Sequence, residues 1–171
     1  INAINYAIAH HADVINMSFI GKKVSPALVN IIRYAYESGI TVVAAAGNEG
    51  NNGLIDGDLD FSPSYPVCID GPQGEPWWVI GVAAVDSENH KAPFSGHGRN
   101  CVDIAAPGVH IPSTLVVHPA IAGFDTLFGG LFSGTSLAAP QVTGAVALLK
   151  SIKPDLTPKQ IYDILTSTAD S

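Results

Sequence analysis

Charge is scarce in this chain, and basic charge scarcest. Only 13% of its 171 residues are charged, and eight Lys and Arg stand against fifteen Asp and Glu, for a net charge of -7. The basic residues never cluster beyond Lys22-Lys23. A nucleic-acid surface needs a basic stripe, so no nucleic-acid partner is expected. No apolar run reaches the length of a membrane span, so no membrane-spanning helix is expected, and no signal peptide is visible. Cysteine is limited to Cys68 and Cys101, which lie in no metal-ligand spacing. They either close a disulfide loop of about 33 residues, worth roughly 3–4 kcal/mol, or remain two buried thiols. A bridge would suit an oxidising compartment, so secretion is the expected localisation. What the chain has in quantity is apolar residues, at 47%, which favours a packed core over disorder or a coiled coil.

Ile1 begins inside what reads as an amphipathic helix over residues 2–12, with Ile4, Tyr6, Ala7, Ile8 and His11 on one face. The chain is therefore expected to start within a domain. Residues 14–18 read as a short buried strand. Ser25 and Pro26 supply an N-cap and a first-turn proline, and Leu28, Ile31, Ile32, Ala35 and Tyr36 carry a helix to Gly39. Residues 40–45 are an apolar run too short for a helix, hence a second buried strand. This alternation predicts an α/β fold with a parallel sheet. Residues 47–76, rich in Gly, Pro, Asn and Asp, read as a long surface loop. Strands are expected over 77–85, 102–104 and 109–115. A glycine-rich turn through Gly129 and Gly130 then leads into a helix bearing Ser136, and Thr157-Pro158 caps a last helix with Ile161, Ile164 and Leu165. With no internal repeat, residues 1–171 read as a single domain.

The segment Gly134-Thr135-Ser136-Leu137-Ala138-Ala139-Pro140 places a serine where a helix begins. There, unpaired backbone N–H groups and the helix dipole favour developing negative charge. A serine hydroxyl is a weak nucleophile until a neighbouring base takes its proton. Alone, such a serine is more often a helix cap. A second segment, Ala44-Ala45-Ala46-Gly47-Asn48-Glu49-Gly50, ends a buried strand with a polar side chain, where open α/β sheets bind ligands. The Asn48 amide can donate to an oxyanion there, with an Asn-Glu-Gly turn as the plain alternative.

Together with Asp13-Val14-Ile15-Asn16-Met17-Ser18, Phe94-Ser95 and Asp103-Ile104-Ala105-Ala106-Pro107-Gly108, these segments resemble, in order and over nearly the whole chain, the subtilisin-like serine proteases, or subtilases. The resemblance implies a three-layer subtilisin-like fold, a mainly parallel central sheet flanked by helices, with its N-terminal part missing. It also implies serine endopeptidase activity through an acyl-enzyme on Ser136, with Asn48 as side-chain oxyanion donor. Ser18, Phe19 and Ile20 would form one wall of the substrate pocket and Ala45, Ala46 and Gly47 the other, with Thr135 beside them. Extended polypeptide would lie between the walls as an added strand. No cofactor would be needed for the chemistry.

Three residues depart from the family pattern. Ile20 stands where glycine is usual and should narrow or cover the pocket entrance. Leu137 replaces the common methionine beside the nucleophile, which removes an oxidisable group. Gln141 stands where histidine is frequent. More consequential, the family's His-Gly-Thr-His and Asp-Ser/Thr-Gly motifs are absent. Of the six histidines, His97 in Gly96-His97-Gly98 superficially invites the role of base, but its place in the order corresponds to a surface turn. The base and its aspartate are therefore expected in an N-terminal portion of the same catalytic domain, as a second chain or a longer sequence, and this chain alone is expected to be inactive. A lineage that abandoned catalysis, leaving a peptide-binding or scaffolding subunit, is the alternative. Asp56, Asp58 and Asp60 alternate as in a calcium loop but lack its closing glutamate, with Val67 at that place. They read as a solvated acidic loop or, second to that, a structural calcium site. The Ser62-Pro63-Ser64-Tyr65-Pro66 stretch could add carbonyl ligands or a cis-proline turn.

Overall fold

The computed structural model describes residues 1–50, 57–71, 75, 78–118, 120 and 126–170. Its centre is a parallel sheet of β1 (Val14–Met17), β2 (Thr41–Ala45), β3 (Ile80–Val85) and β4 (Ile104–Pro107), in the order β1-β2-β3-β4. Strand β2 shows why helices lie on both faces. Side chains alternate along a strand, so Val42 and Ala44 enter one core cluster while Val43 and Ala45 enter the other. The first cluster packs α1 (Asn2–Ala9) and α2 (Pro26–Glu37) through Ile4, Ile31, Ile32 and Ala35. The second packs α3 (Thr135–Ile152) and α4 (Pro158–Thr168) through Ala138, Ala139, Val142, Val146 and Ile161. The result is the expected three-layer α/β sandwich. Ile32 and Ile161 are fully buried, so truncating either to alanine should cost about 2–5 kcal/mol.

The termini of α2 and α4 follow from local chemistry. Ser25 Oγ accepts the Leu28 N–H at 3.2 Å, and Pro26 fills the first helical position, where a missing N–H costs nothing. Thr157 and Gln160 cap α4 reciprocally. Helix α1 is shorter than expected, and Tyr6 is exposed and stacks on His10 with ring centroids 3.9 Å apart. Residues 4 and 6 differ by about 200° around a helix, so they cannot share a face.

Other elements also differ from expectation. The fourth sheet strand begins at Ile104, not Val102, and β3 begins at Ile80; Trp78 and Val79 precede it and Trp77 lies outside the described residues. The stretch around Gly129 and Gly130 is a strand, β6 (Phe128–Phe132), paired antiparallel with β5 (Ile111–Thr114). An irregularity lies in the register between Ile111 and Ser113, and Gly130 adopts φ +72 opposite it. One type of bulge uses a glycine with positive φ, and Gly130 has that conformation at this kink within the strand. Residues 57–71 are not all surface loop: Leu59, Val67 and Ile69 are buried, and the Tyr65–Pro66 peptide bond is cis. A disulfide joins Cys68 to Cys101, tying this segment to the loop before β4.

Candidate active site

The N-terminus of α3 gathers the ends of β1 and β2 around Ser136. Pro140 explains part of how. Four residues after Ser136 it has no N–H, so the Ser136 carbonyl lacks its intrahelical donor. That carbonyl instead accepts the Ser18 hydroxyl at 3.0 Å, and the Ser136 hydroxyl in turn donates to the Ser18 carbonyl at 3.2 Å. The end of β1 is thus fastened to the serine in both directions. Asn16 supports it from the strand: its Nδ2 donates to Ser18 Oγ at 2.9 Å, and its Oδ1 accepts the Thr143 hydroxyl of α3 at 3.1 Å.

Thr135 fastens the end of β2. It is fully buried; its hydroxyl accepts the Gly47 N–H and donates to Asn48 Oδ1, each at 3.0 Å, while its own N–H donates to Asn48 Oδ1 at 2.9 Å. A backbone N–H cannot accept a hydrogen bond, so the oxygen of the Asn48 amide must face Thr135 and the NH₂ must face away. That Nδ2 lies beside Gly134, where a Cβ would come within 3.2 Å of it. Thr135, expected at the pocket, therefore acts behind it by holding Asn48. The N-cap residue of α3, Gly134, has no side chain to cap it. The Thr135 N–H goes to Asn48 and that of Leu137 to the Gly134 carbonyl, which leaves the Ser136 N–H at the open helix end.

The two walls face each other across a cavity of about 240 Å³. Ile20, Ala46 and Gly47 line it; Phe19 points to solvent at 62% exposure, and Ala45 is buried in the core. Gly47 has φ +96, and a Cβ on it would stand 2.6 Å from Ile20 Cδ1, so Ile20 leans across to the opposite wall. Gln141 donates to the carbonyls of Pro107 and Leu137 and ties α3 to β4.

Among the described residues no histidine hydrogen-bonds Ser136. His97 pairs its backbone with Gly57 and Leu59 in an isolated parallel bridge to Asp58 and not in the expected surface turn, and its Nδ1 is buried without a hydrogen-bond partner among the described residues. Asp60 gives one oxygen to the Arg99 N–H at 2.9 Å and the other to the Asn100 N–H at 3.0 Å, which hold its pKa below the usual carboxylate value. Asp58 Oδ1 accepts the Asp60 N–H, and Asp56 lies outside the described residues. No group of three or more His, Cys, Asp or Glu among the described residues is placed to hold a metal ion.

Sequence reasoning missed Asn16 and Thr143, and Lys22 and Glu49, which line the cavity and whose charged groups meet at 2.7 Å. The polar residues Asn16 and Ser18 flanking Met17 were the available signal for the first pair. Away from the site, Asp103 accepts the Gly81 N–H at 2.7 Å and the Tyr162 hydroxyl at 3.0 Å, and burial raises its pKa to about 6. Burial also raises Tyr162, helped by the adjacent Asp103 charge.

The parallel α/β sheet thus sets an asparagine amide at a strand end beside a serine at a helix start. The chain belongs to the subtilase family, whose model matches residues 1–171. Subtilisin E of Bacillus subtilis is 41% identical over 169 residues, covering 99% of this chain and 39% of that protein. The major intracellular serine protease of the same organism is 36% identical over 155 residues, 91% of this chain and 42% of its own length. A solved structure of proteases from Pseudoalteromonas arctica superposes with a TM-score of 0.74 at 34% identity, over 94% of this chain and 45% of that one. The chain thus spans well under two thirds of these relatives. One of them is named as intracellular, so family membership does not fix a compartment. No helix among the described residues is long and apolar enough to cross a membrane.

Proposed function

We propose that this chain is the nucleophile-bearing part of a serine endopeptidase. Ser136 attacks the peptide carbonyl and passes its proton to a histidine held by an aspartate, both supplied by an N-terminal portion of the same catalytic domain. The amine leaves with that proton, and water then releases the acyl group from Ser136 by the reverse sequence. Asn48 Nδ2 and the Ser136 N–H hold the oxyanion. Substrate lies extended between residues 18–20 and 45–47. The chemistry needs no cofactor.

The observation that carries this reading is the fixed Asn48 amide, turned by Thr135 so that its donor side is free beside the nucleophile helix. Family membership supports it. The open edge of β1, which pairs only with β2 among the described residues, supports a missing neighbour.

The test is hydrolysis of an unfolded polypeptide by this chain together with its upstream portion. Activity that falls by several orders of magnitude in Ser136→Ala is expected. Activity unchanged by that substitution, or peptide binding with no turnover, would overturn the reading in favour of a scaffold.

A further inference from the structure

The cavity between the walls is lined by residues of two chemical kinds. Ile20, Ala46 and Leu59 are its apolar lining, and Ile20 leaning on Gly47 narrows the space between the walls to a slot. Such a slot passes an unbranched methylene stem more readily than a ring or a β-branched side chain. The polar lining includes Lys22, Glu49, Asp58 and Ser64. Lys22 Nζ lies 2.7 Å from Glu49 Oε2 and donates to Ser64 Oγ at 3.0 Å. The cavity lining therefore already holds an ammonium group supplied by the protein itself, with the Lys22 and Glu49 side chains each about half open to solvent. Lys22 extends from one wall and Glu49 from the other, so this ion pair also ties the two walls together.

Lys22 can balance only one of the two carboxylates. Asp58 gives Oδ1 to the Asp60 N–H and has a second oxygen for another donor. A side chain entering the cavity thus meets apolar lining from Ile20, Ala46 and Leu59 together with an excess of negative charge. Lysine and arginine match both kinds of lining, since each buries its stem while its cationic head reaches polar groups. A glutamate would meet like charge, and a leucine or phenylalanine would leave the polar lining unmatched.

We propose that this cavity takes the basic side chain, lysine or arginine, of the substrate residue preceding the scissile bond. Asp58 and Glu49 are the specificity-determining carboxylates, and Lys22 is an internal competitor that moderates the preference by occupying Glu49. The assignment rests on the endopeptidase reading above.

The test uses the complete enzyme, upstream portion included, and peptides differing only in that residue: Arg, Lys, Leu, Phe or Glu. The Arg and Lys peptides are expected to have the highest kcat/KM. Asp58→Asn and Glu49→Gln should each lower the Arg-to-Leu ratio about three- to tenfold, the size of one partly screened charge contact, and Lys22→Met should raise it similarly. The Leu peptide, which makes no charge contact, serves as the internal reference for each variant's folding. Competitive inhibition by butylguanidinium should strengthen in Lys22→Met and weaken in Asp58→Asn. Preference for Leu or Phe, with ratios indifferent to all three substitutions, would overturn the pocket assignment alone. Absence of hydrolysis of every peptide by a folded complete enzyme would overturn the endopeptidase reading and the assignment with it.

Discussion

The carboxamide oxygen of Asn48 accepts two hydrogen bonds from one residue, Thr135: the backbone N–H at 2.9 Å and the hydroxyl at 3.0 Å. The same hydroxyl receives the Gly47 N–H. A single buried side chain therefore sets both the second pocket wall and the orientation of the amide donor. Thr135→Val keeps the shape but strands the Gly47 N–H, which should cost about 1–3 kcal/mol of stability. In the complete enzyme kcat should fall while KM changes little, because the loosened amide matters most when the oxyanion forms. Asn48→Ala should lower kcat by about 10²–10³, a magnitude that itself comes from a subtilisin side-chain donor. Steady-state kinetics on a peptide series checks both.

Pro140 carries an expectation of opposite signs. Pro140→Ala restores an N–H four residues after Ser136, and that N–H competes with the Ser18 hydroxyl for the Ser136 carbonyl. Removing a proline from a helix interior should raise stability, by up to about 3 kcal/mol. Activity should nevertheless fall, because the fastening of β1 to the serine weakens. Melting temperature and kcat/KM measured on one preparation test the two signs together.

Asp103 should leave a mark on the pH dependence of stability. Burial raises its native pKa to about 6, so the folded chain holds this proton more tightly than the unfolded chain does. The stability it contributes is full below about pH 4, near its unfolded value, and is lost as pH rises through about 6. Asp103→Asn removes that slope. Denaturant unfolding at a series of pH values should show the variant gaining on the parent between pH 4 and pH 7, by on the order of 3 kcal/mol.

The Cys68–Cys101 bridge closes a loop of 33 residues. Replacing both cysteines by serine should lower stability by roughly 3–4 kcal/mol. Reduction of the parent under native conditions should reproduce that loss in a thermal melt.

Local chemistry was legible in the sequence, and long-range chemistry was not. Helix α2 could be read from Ser25, Pro26 and its apolar spacing because cap and face lie within a few residues of one another. Strand β6 could not, since its pairing with β5 crosses the chain and Gly130, a bulge residue, reads locally as a turn. Leu59, Val67 and Ile69 hid in a stretch whose glycines and prolines mask any period. At the site, Ser136 and Asn48 stood out within motifs. Their supports did not: the Thr135–Asn48 bonds span 87 residues and the Ser18–Ser136 pair spans 118, and such distances leave no local trace. The Lys22–Glu49 pair was equally invisible, although each residue stands two positions beyond a recognised wall.

The most direct test of the central claim is covalent labelling of Ser136 by a fluorophosphonate, read by mass spectrometry. With the upstream portion present, Ser136 should be labelled rapidly and Asn48→Ala should slow the reaction. This chain alone should label at a rate lower by orders of magnitude, because among the described residues its serine hydroxyl donates to the Ser18 carbonyl and to no base. Absence of labelling in the folded complete protein would contradict the assignment of Ser136 as an activated nucleophile.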